Sequence, residues 1–215
     1  MNSCVFDLET ISNPAIIPFL PEVEANKTLK NPEKIAADIE KKKADQLAEM
    51  GLNPSQLLIC CGSFLDLETD EMKSFVLSPE LDERALLMDV WEHLHDYERF
   101  VTFNGINFDV EALKFRSLIN KVGPSVIISQ RKYQIENHVD VRMILGQWEK
   151  FAKGDLDYYS KIILGPDEGG KTKGVKGSDV QGMWNDGKYE EIREYCERDV
   201  RILGAVYQRL IGYYI

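Results

Sequence analysis

Asp7 and Glu9 stand two residues apart in the stretch Val5-Phe6-Asp7-Leu8-Glu9-Thr10. Residues two apart on an extended backbone share a face, roughly 6.5–7 Å from one another, so a strand here turns both carboxylates to one side. Cys4, Phe6 and Leu8 alternate with Val5, Asp7 and Glu9, and the segment is too apolar for a solvated sheet edge. Two carboxylates side by side on an interior strand repel each other and are costly to desolvate. A divalent cation between them removes the conflict, which makes the pair a candidate metal site in need of ligands from elsewhere.

Two later segments carry matching chemistry. Asn104-Gly105-Ile106-Asn107-Phe108-Asp109 reads as a strand end turning into a helix, with Asp109 near the helix start, where a carboxylate is favourable. Tyr195-Cys196-Glu197-Arg198-Asp199 falls on a helix near the carboxy terminus. Tyr195 and Asp199 are four apart there and so share a face one turn apart.

Three other features need weighing. His138 and Asp140 have the types of a metal pair but read more simply as a strand-end pair without a catalytic role. Gly165 to Thr172 matches GxxxxGK[ST], the phosphate-binding loop pattern. That motif needs a strand before it and a helix directly after, whereas Gly174 and Gly177 oppose a helix start. The stretch reads instead as a basic loop whose Lys171, Lys173 and Lys176 guide a nucleic-acid strand. The run Lys41-Lys42-Lys43 lies on a predicted amphipathic helix and reads as a solvated face, with a cover over the site as the sharper alternative.

The elements that must position these groups follow from hydrophobic periodicity. After the first strand and a Pro-rich turn, residues 32–50 read as a helix capped by Asn31 with Pro32 at its first position. Strands are predicted over 57–67 and 72–77, a helix over 82–97, a strand over 99–103 and a helix over 107–120. A strand passing into a helix follows over 138–145, then helices over 156–164 and from about 189 to 207 or beyond. That order is α/β, a mixed central sheet flanked by helices, with a helical insertion at about 22–56 after the first strand. The 215 residues suit one substantial domain, 1–215. No run of about 18 apolar residues predicts a membrane span and no signal peptide is visible. Four cysteines without a CxxC pair fit buried reduced thiols, and the expected location is cytoplasmic. A formal charge of −10 excludes a non-specific, uniformly basic nucleic-acid binder but not an enzyme that meets nucleic acid through cations and a local basic patch.

Taken in order, FDLET, NGINFD and YCERD resemble the three motifs of the tyrosine subclass of DEDD 3′–5′ exonucleases. Glu194 occupies the position where the histidine subclass carries its histidine, so Tyr195 is the match. NPEKIAADIEKK and the GSDV loop look closest to the stand-alone exonucleases related to the proofreading domain of family-B DNA polymerases. The resemblance runs from Val5 to beyond Asp199 and implies a ribonuclease H-like fold. It implies two-metal hydrolysis of phosphodiester bonds, with two Mg²⁺ or Mn²⁺ ions held by Asp7, Glu9, Asp109 and Asp199. Asp7 would bridge both ions, Glu9 and Asp199 would complete the water-activating site, and Asp109 would hold the second ion. An all-oxygen ligand set suits hard cations and not zinc. Tyr195 would orient the attacking water, Thr10 would meet the terminal sugar through its backbone, and Asn104 would contact substrate or brace its motif. The implied partner is a single-stranded 3′ end, DNA favoured over RNA, and a polymerase or repair partner is left open. The alternatives are an RNA-trimming enzyme on the same site, a non-catalytic nucleic-acid or polymerase-associated module, and a nucleotidase using the glycine loop.

Overall fold

The computed structural model describes residues 2–78, 82–149, 153–166, 169 and 176–215. Its sheet has five strands: β1 (Ser3–Ser12), β2 (Leu57–Asp66), β3 (Met72–Val76), β4 (Arg99–Thr102) and β5 (His138–Asp140), in the order β3-β2-β1-β4-β5. β1 is the middle strand, antiparallel to β2 and parallel to β4. β3 pairs antiparallel with β2, and β5 parallel with β4. The sheet is therefore mixed, and with helices on its flanks the fold is α/β and ribonuclease H-like, as the sequence predicts.

Alternation along β1 decides what each face does. Phe6 and Leu8 enter one core, where Phe6 stacks on Phe64 at 5.7 Å. Trp91 and Leu94 of α2 (Glu83–Leu94) and Leu113 of α3 (Asp109–Asn120) close that core. Val5 points the other way, into a second core with Val101, Val139 and the Val200, Leu203, Val206 and Tyr207 stripe of the last helix, Tyr189–Ile211. Asp7 and Glu9 continue the Val5 face beyond that core, so they come up against the same helix.

Glu83 supports the first core from beneath. Its carboxylate accepts from the Arg116 guanidinium at 2.9 Å, from the Ile59 amide at 3.0 Å and from Asn120 at 2.8 Å. A buried charge pair of this kind is tolerable only because nearly every donor around it finds an acceptor.

The insertion after β1 is a 3-10 turn (Pro14–Phe19) and then α1 (Pro32–Glu49), capped by the Asn31 side chain on the Glu33 amide at 2.8 Å. No α1 side chain is fully buried; the insertion is anchored by Met50, which is, in the 3-10 turn Met50–Leu52 that follows. After β5 come α4 (Val141–Leu145), α5 (Leu156–Leu164) and α6 (Val180–Asn185), and the helix at Tyr189–Ile211 is α7. The sequence reading has no counterpart for α6, whose six residues are too few to show a helical period. The helix predicted over 82–97 closes at Leu94, and the one predicted from 107 starts at Asp109 because residues 104–108 form a turn. All four cysteines are free and buried. Among the described residues no helix is long and apolar enough to cross a membrane.

Candidate active site

The five acidic and phenolic candidates line one cavity of about 580 Å³. Asp7 and Glu9 come from β1, Asp109 from the first turn of α3, and Tyr195 and Asp199 from α7. Thr10 and Asn104 line it too. Asp7 is half-buried, while Glu9, Asp109 and Asp199 are 7%, 3% and 3% exposed, so the carboxylates sit recessed at the cavity floor.

Each segment has its own reason to deliver its group. Tyr195 and Asp199 ride the stripe of α7 that also carries Ile192, Cys196, Val200 and Leu203, all buried. A carboxylate on such a stripe is aimed at the sheet rather than at water. Asp109 opens α3, where free amides favour a negative charge. Its Oδ1 accepts from the Leu8 amide of β1 at 3.2 Å, which ties the second segment to the first. Cys196 reaches β1 as well, its thiol donating to the Asp7 carbonyl at 3.4 Å.

The electrostatics are those of a crowded acidic pocket. Burial pushes the Asp109 carboxyl well above the usual carboxylate range, and the neighbouring Asp7 charge pushes it further. Ligand atoms of Asp7, Glu9 and Cys196 lie within 4.8 Å of one another. Burial first, then hydrogen bonding to Cys61 and the nearby carboxylates, hold the Cys196 thiol far above its ordinary value. A thiol kept protonated is a poor ligand, so the donors on offer are carboxylate oxygens and fit hard divalent cations.

Thr10 and Asn104 differ from each other in role. The Thr10 hydroxyl is spent on the Gly51 carbonyl at 2.6 Å, pinning the insertion to the cavity rim and leaving Thr10 its backbone. Asn104 sits at φ +70, a left-handed conformation Asn tolerates. Its Oδ1 accepts from Arg142 at 2.9 Å and from Asn107 at 3.0 Å, so Asn104 braces its own segment while facing the cavity.

Sequence reasoning set Asp140 aside as part of a strand-end pair without a catalytic role, and did not find that it shapes this turn. Asp140 is buried at the end of β5, and its carboxylate accepts from three amides: Asn104 at 2.9 Å, Ile106 at 3.0 Å and Met143 at 3.2 Å. Its partner in the sequence reading, His138, bridges the Thr102 hydroxyl at 2.8 Å and the Ser129 carbonyl at 2.6 Å. Thr102 in turn accepts from the Gly105 amide at 3.2 Å, and a Cβ on Gly105 would clash with the Thr102 hydroxyl oxygen. The pair has no place in the cavity but props the segment that leads to Asp109. The available signal was a carboxylate at the start of α4, a position favoured for helix capping. Gln181 was missed with α6; it lines the cavity and accepts from the Ser12 amide at 2.8 Å.

The insertion meets the cavity through Leu47, Ala48, Gly51 and Leu52, not through its lysine run. Lys42 is instead paired with Asp38 at 3.0 Å, as a solvated face requires. Helix α5, not a strand, leads into Gly165, which removes the phosphate-binding loop reading. Lys171, Thr172 and Lys173 lie outside the described residues; Lys176 is exposed, and the next two residues, Gly177 and Ser178, border the cavity.

A family model described as "Predicted 3'-5' exonuclease related to the exonuclease domain of PolB" matches residues 57–211. That span holds Asn104, Asp109, Tyr195 and Asp199 and begins after Asp7 and Glu9. The fold is similar to that of the family B DNA polymerase from the hyperthermophilic archaeon Pyrobaculum calidifontis, with a TM-score of 0.63 at 16% identity. The alignment covers 98% of this chain and 24% of the polymerase, so the chain spans about a quarter of that protein's length. No curated protein sequence matches this chain.

Proposed function

Since this chain belongs to the family of predicted 3′–5′ exonucleases related to the exonuclease domain of PolB, we propose that it is a metal-dependent exonuclease that removes nucleotides from single-stranded 3′ ends, DNA in preference to RNA. The observation that carries the reading is the meeting of four carboxylates, from three segments far apart in sequence, in one recessed cavity beside a tyrosine. The proposal takes residues 1–215 as one exonuclease domain with the insertion carried on its rim.

Asp7, Glu9, Asp109 and Asp199 would hold two hard divalent cations, Mg²⁺ or Mn²⁺. Bound there, the ions would acidify an attacking water and offset charge on the leaving 3′ oxygen. Asp109, buried and pressed by the Asp7 charge, would be relieved by a cation, which supports this donor set. The Tyr195 phenol, beside the carboxylates, is a poor base at neutral pH, so it orients the water rather than deprotonating it. Thr10 presents its backbone to the terminal sugar, and Asn104 holds the opposite rim. The recessed acids favour a single strand, whose terminal phosphate can reach them alone.

Incubation of 5′-labelled single-stranded DNA and RNA of equal sequence with Mg²⁺, Mn²⁺ or chelator tests the reading. The expected result is a ladder that shortens from the 3′ end, faster on DNA, and is abolished by chelator or by Asp7→Asn. Endonucleolytic fragments, or a ladder that persists in Asp7→Asn, overturn it.

A further inference from the structure

One feature outside the cavity has no part in that chemistry. On either side of β5 the chain holds residues with side chains at left-handed φ: Tyr133 at +67 before it, and Gln147 at +54 and Trp148 at +63 after it. Bulky residues avoid this region, and strain of this kind persists only where the surroundings enforce it. Here the reversal at Gln147–Trp148, closed by the Trp148 amide on the Met143 carbonyl at 2.7 Å, folds the indole back over the end of α4. The indole is half-buried on the core below α7, and Tyr133, 71% exposed, lies against it with ring centroids 5.0 Å apart. The result is an aromatic ring held out in water on a fixed support.

Its immediate neighbours in sequence are basic and exposed in a chain whose net charge is −10. Arg131 and Lys132 precede Tyr133, and Arg142 sits on α4 beneath the reversal; Glu136 and Glu149 are the nearby acids in sequence. Both halves of this patch are fastened to the turn that forms the cavity rim. Gln130 donates to the Ile106 carbonyl at 2.9 Å, and Arg142 donates to Asn104, which lines the cavity, at the same distance.

We propose that Tyr133, supported by Trp148 and flanked by Arg131 and Lys132, is a stacking platform for the single strand as it leaves the cavity. The platform takes a base on the Tyr133 ring, and the two cations take the adjoining phosphates. Base stacking on an aromatic side chain needs no particular sequence, because every base has a π-face. The proposal rests on the exonuclease reading for its substrate but not for its test, which is binding rather than hydrolysis.

The test is fluorescence anisotropy of labelled single-stranded DNA of about ten nucleotides, and of a dinucleotide, on the full chain carrying Asp199→Asn in Mg²⁺ buffer. Tyr133→Ala should weaken the longer strand about tenfold and leave the dinucleotide unchanged. Arg131→Gln with Lys132→Gln should lower the slope of log affinity against log salt by about 1.4, two phosphates at roughly 0.7 each. Trp148→Phe, which keeps a ring beneath Tyr133, should retain most of the affinity. An unchanged affinity for the longer strand in Tyr133→Ala overturns the platform, as does equal weakening of both lengths or no strand binding at all. If the longer strand binds through Tyr133 but the chain with Asp199 intact degrades nothing in Mg²⁺ or Mn²⁺, the exonuclease reading is overturned and the platform stands.

Discussion

Replacing Asp140 by Asn tests how far the acidic site depends on a group that does not touch it. The Asp140 carboxylate accepts from the Asn104 and Met143 amides through Oδ1 and from the Ile106 amide through Oδ2. An asparagine keeps its oxygen where two amides point and must turn its NH₂ towards the third. The Ile106 amide, in a buried setting, then loses its acceptor and faces a donor at a distance set for a hydrogen bond, 3.0 Å. An unsatisfied buried donor costs about 1–3 kcal/mol, and losing a charged acceptor sits at the upper end, so about 2–3 kcal/mol of stability should go. For a chain of this length that is a fall of about 5–10 °C in Tm, small enough to leave the protein folded at 25 °C. The Asn104–Asp109 turn should relax, and Asp109 with it. Mn²⁺ affinity and turnover should each fall about 10- to 100-fold, as for other supports of a ligand shell. Urea denaturation, Mn²⁺ titration calorimetry and the 3′-end ladder measure the three quantities. Stability unchanged within about 0.5 kcal/mol refutes the hydrogen-bond count. Lost stability with wild-type Mn²⁺ affinity refutes the link from Asp140 to Asp109.

The other expectations follow from the same geometry. Asp109 is held above its unfolded value, about 3.9, so the folded metal-free protein binds the extra proton, and this contribution to stability is lost as pH rises through the folded pKa. Asp7→Asn should therefore make the metal-free Tm fall less steeply with rising pH, while abolishing hydrolysis and the Tm gain on adding Mn²⁺; a pH profile parallel to wild type contradicts this. Glu83→Ala strands the Arg116 charge among buried groups and should cost about 3–5 kcal/mol, yet leave Mn²⁺ affinity at its wild-type level below the unfolding transition, since Glu83 does not line the cavity. Tyr195→Phe should lower kcat well before it alters metal affinity, and calorimetry showing a large loss of Mn²⁺ binding would remove the water-orienting role.

Much of this arrangement was legible because it is written in local patterns. The strand carrying Asp7 and Glu9 shows its period directly, and α1 announces its start through Asn31 and Pro32. Asp199 betrays itself as an acid on the apolar stripe of α7. What stayed hidden depends on partners distant in sequence. Asp140 reads as an ordinary strand-end residue until the chain 34 positions earlier is brought over it. α6 is too short to carry a period, so Gln181 could not be placed, and Tyr133 gives no local sign that Trp148 will fold back beneath it.

The match to the family begins at residue 57, so the placement of Asp7 and Glu9 rests on the resemblance of FDLET to a first motif and on physical reasoning about β1. That reasoning is tight. β1 is paired on both sides within the matched span, Phe6 opposite Phe64 on β2 and Val5 opposite Val101 on β4. A slip by one residue would drive Asp7 and Glu9 into the core that holds Phe64, Trp91 and Leu94, and would push Phe6 and Leu8 into the acidic cavity. Each carboxylate so buried without a partner would cost several kcal/mol, and each apolar side chain expelled would forfeit about 1.5–3 kcal/mol more. Those sums are comparable with the whole stability of an ordinary domain, about 5–15 kcal/mol. The hydrophobic residues that alternate with the two acids are thus what turns the acids towards α7, and the proposed metal site is fixed by the packing of the opposite face.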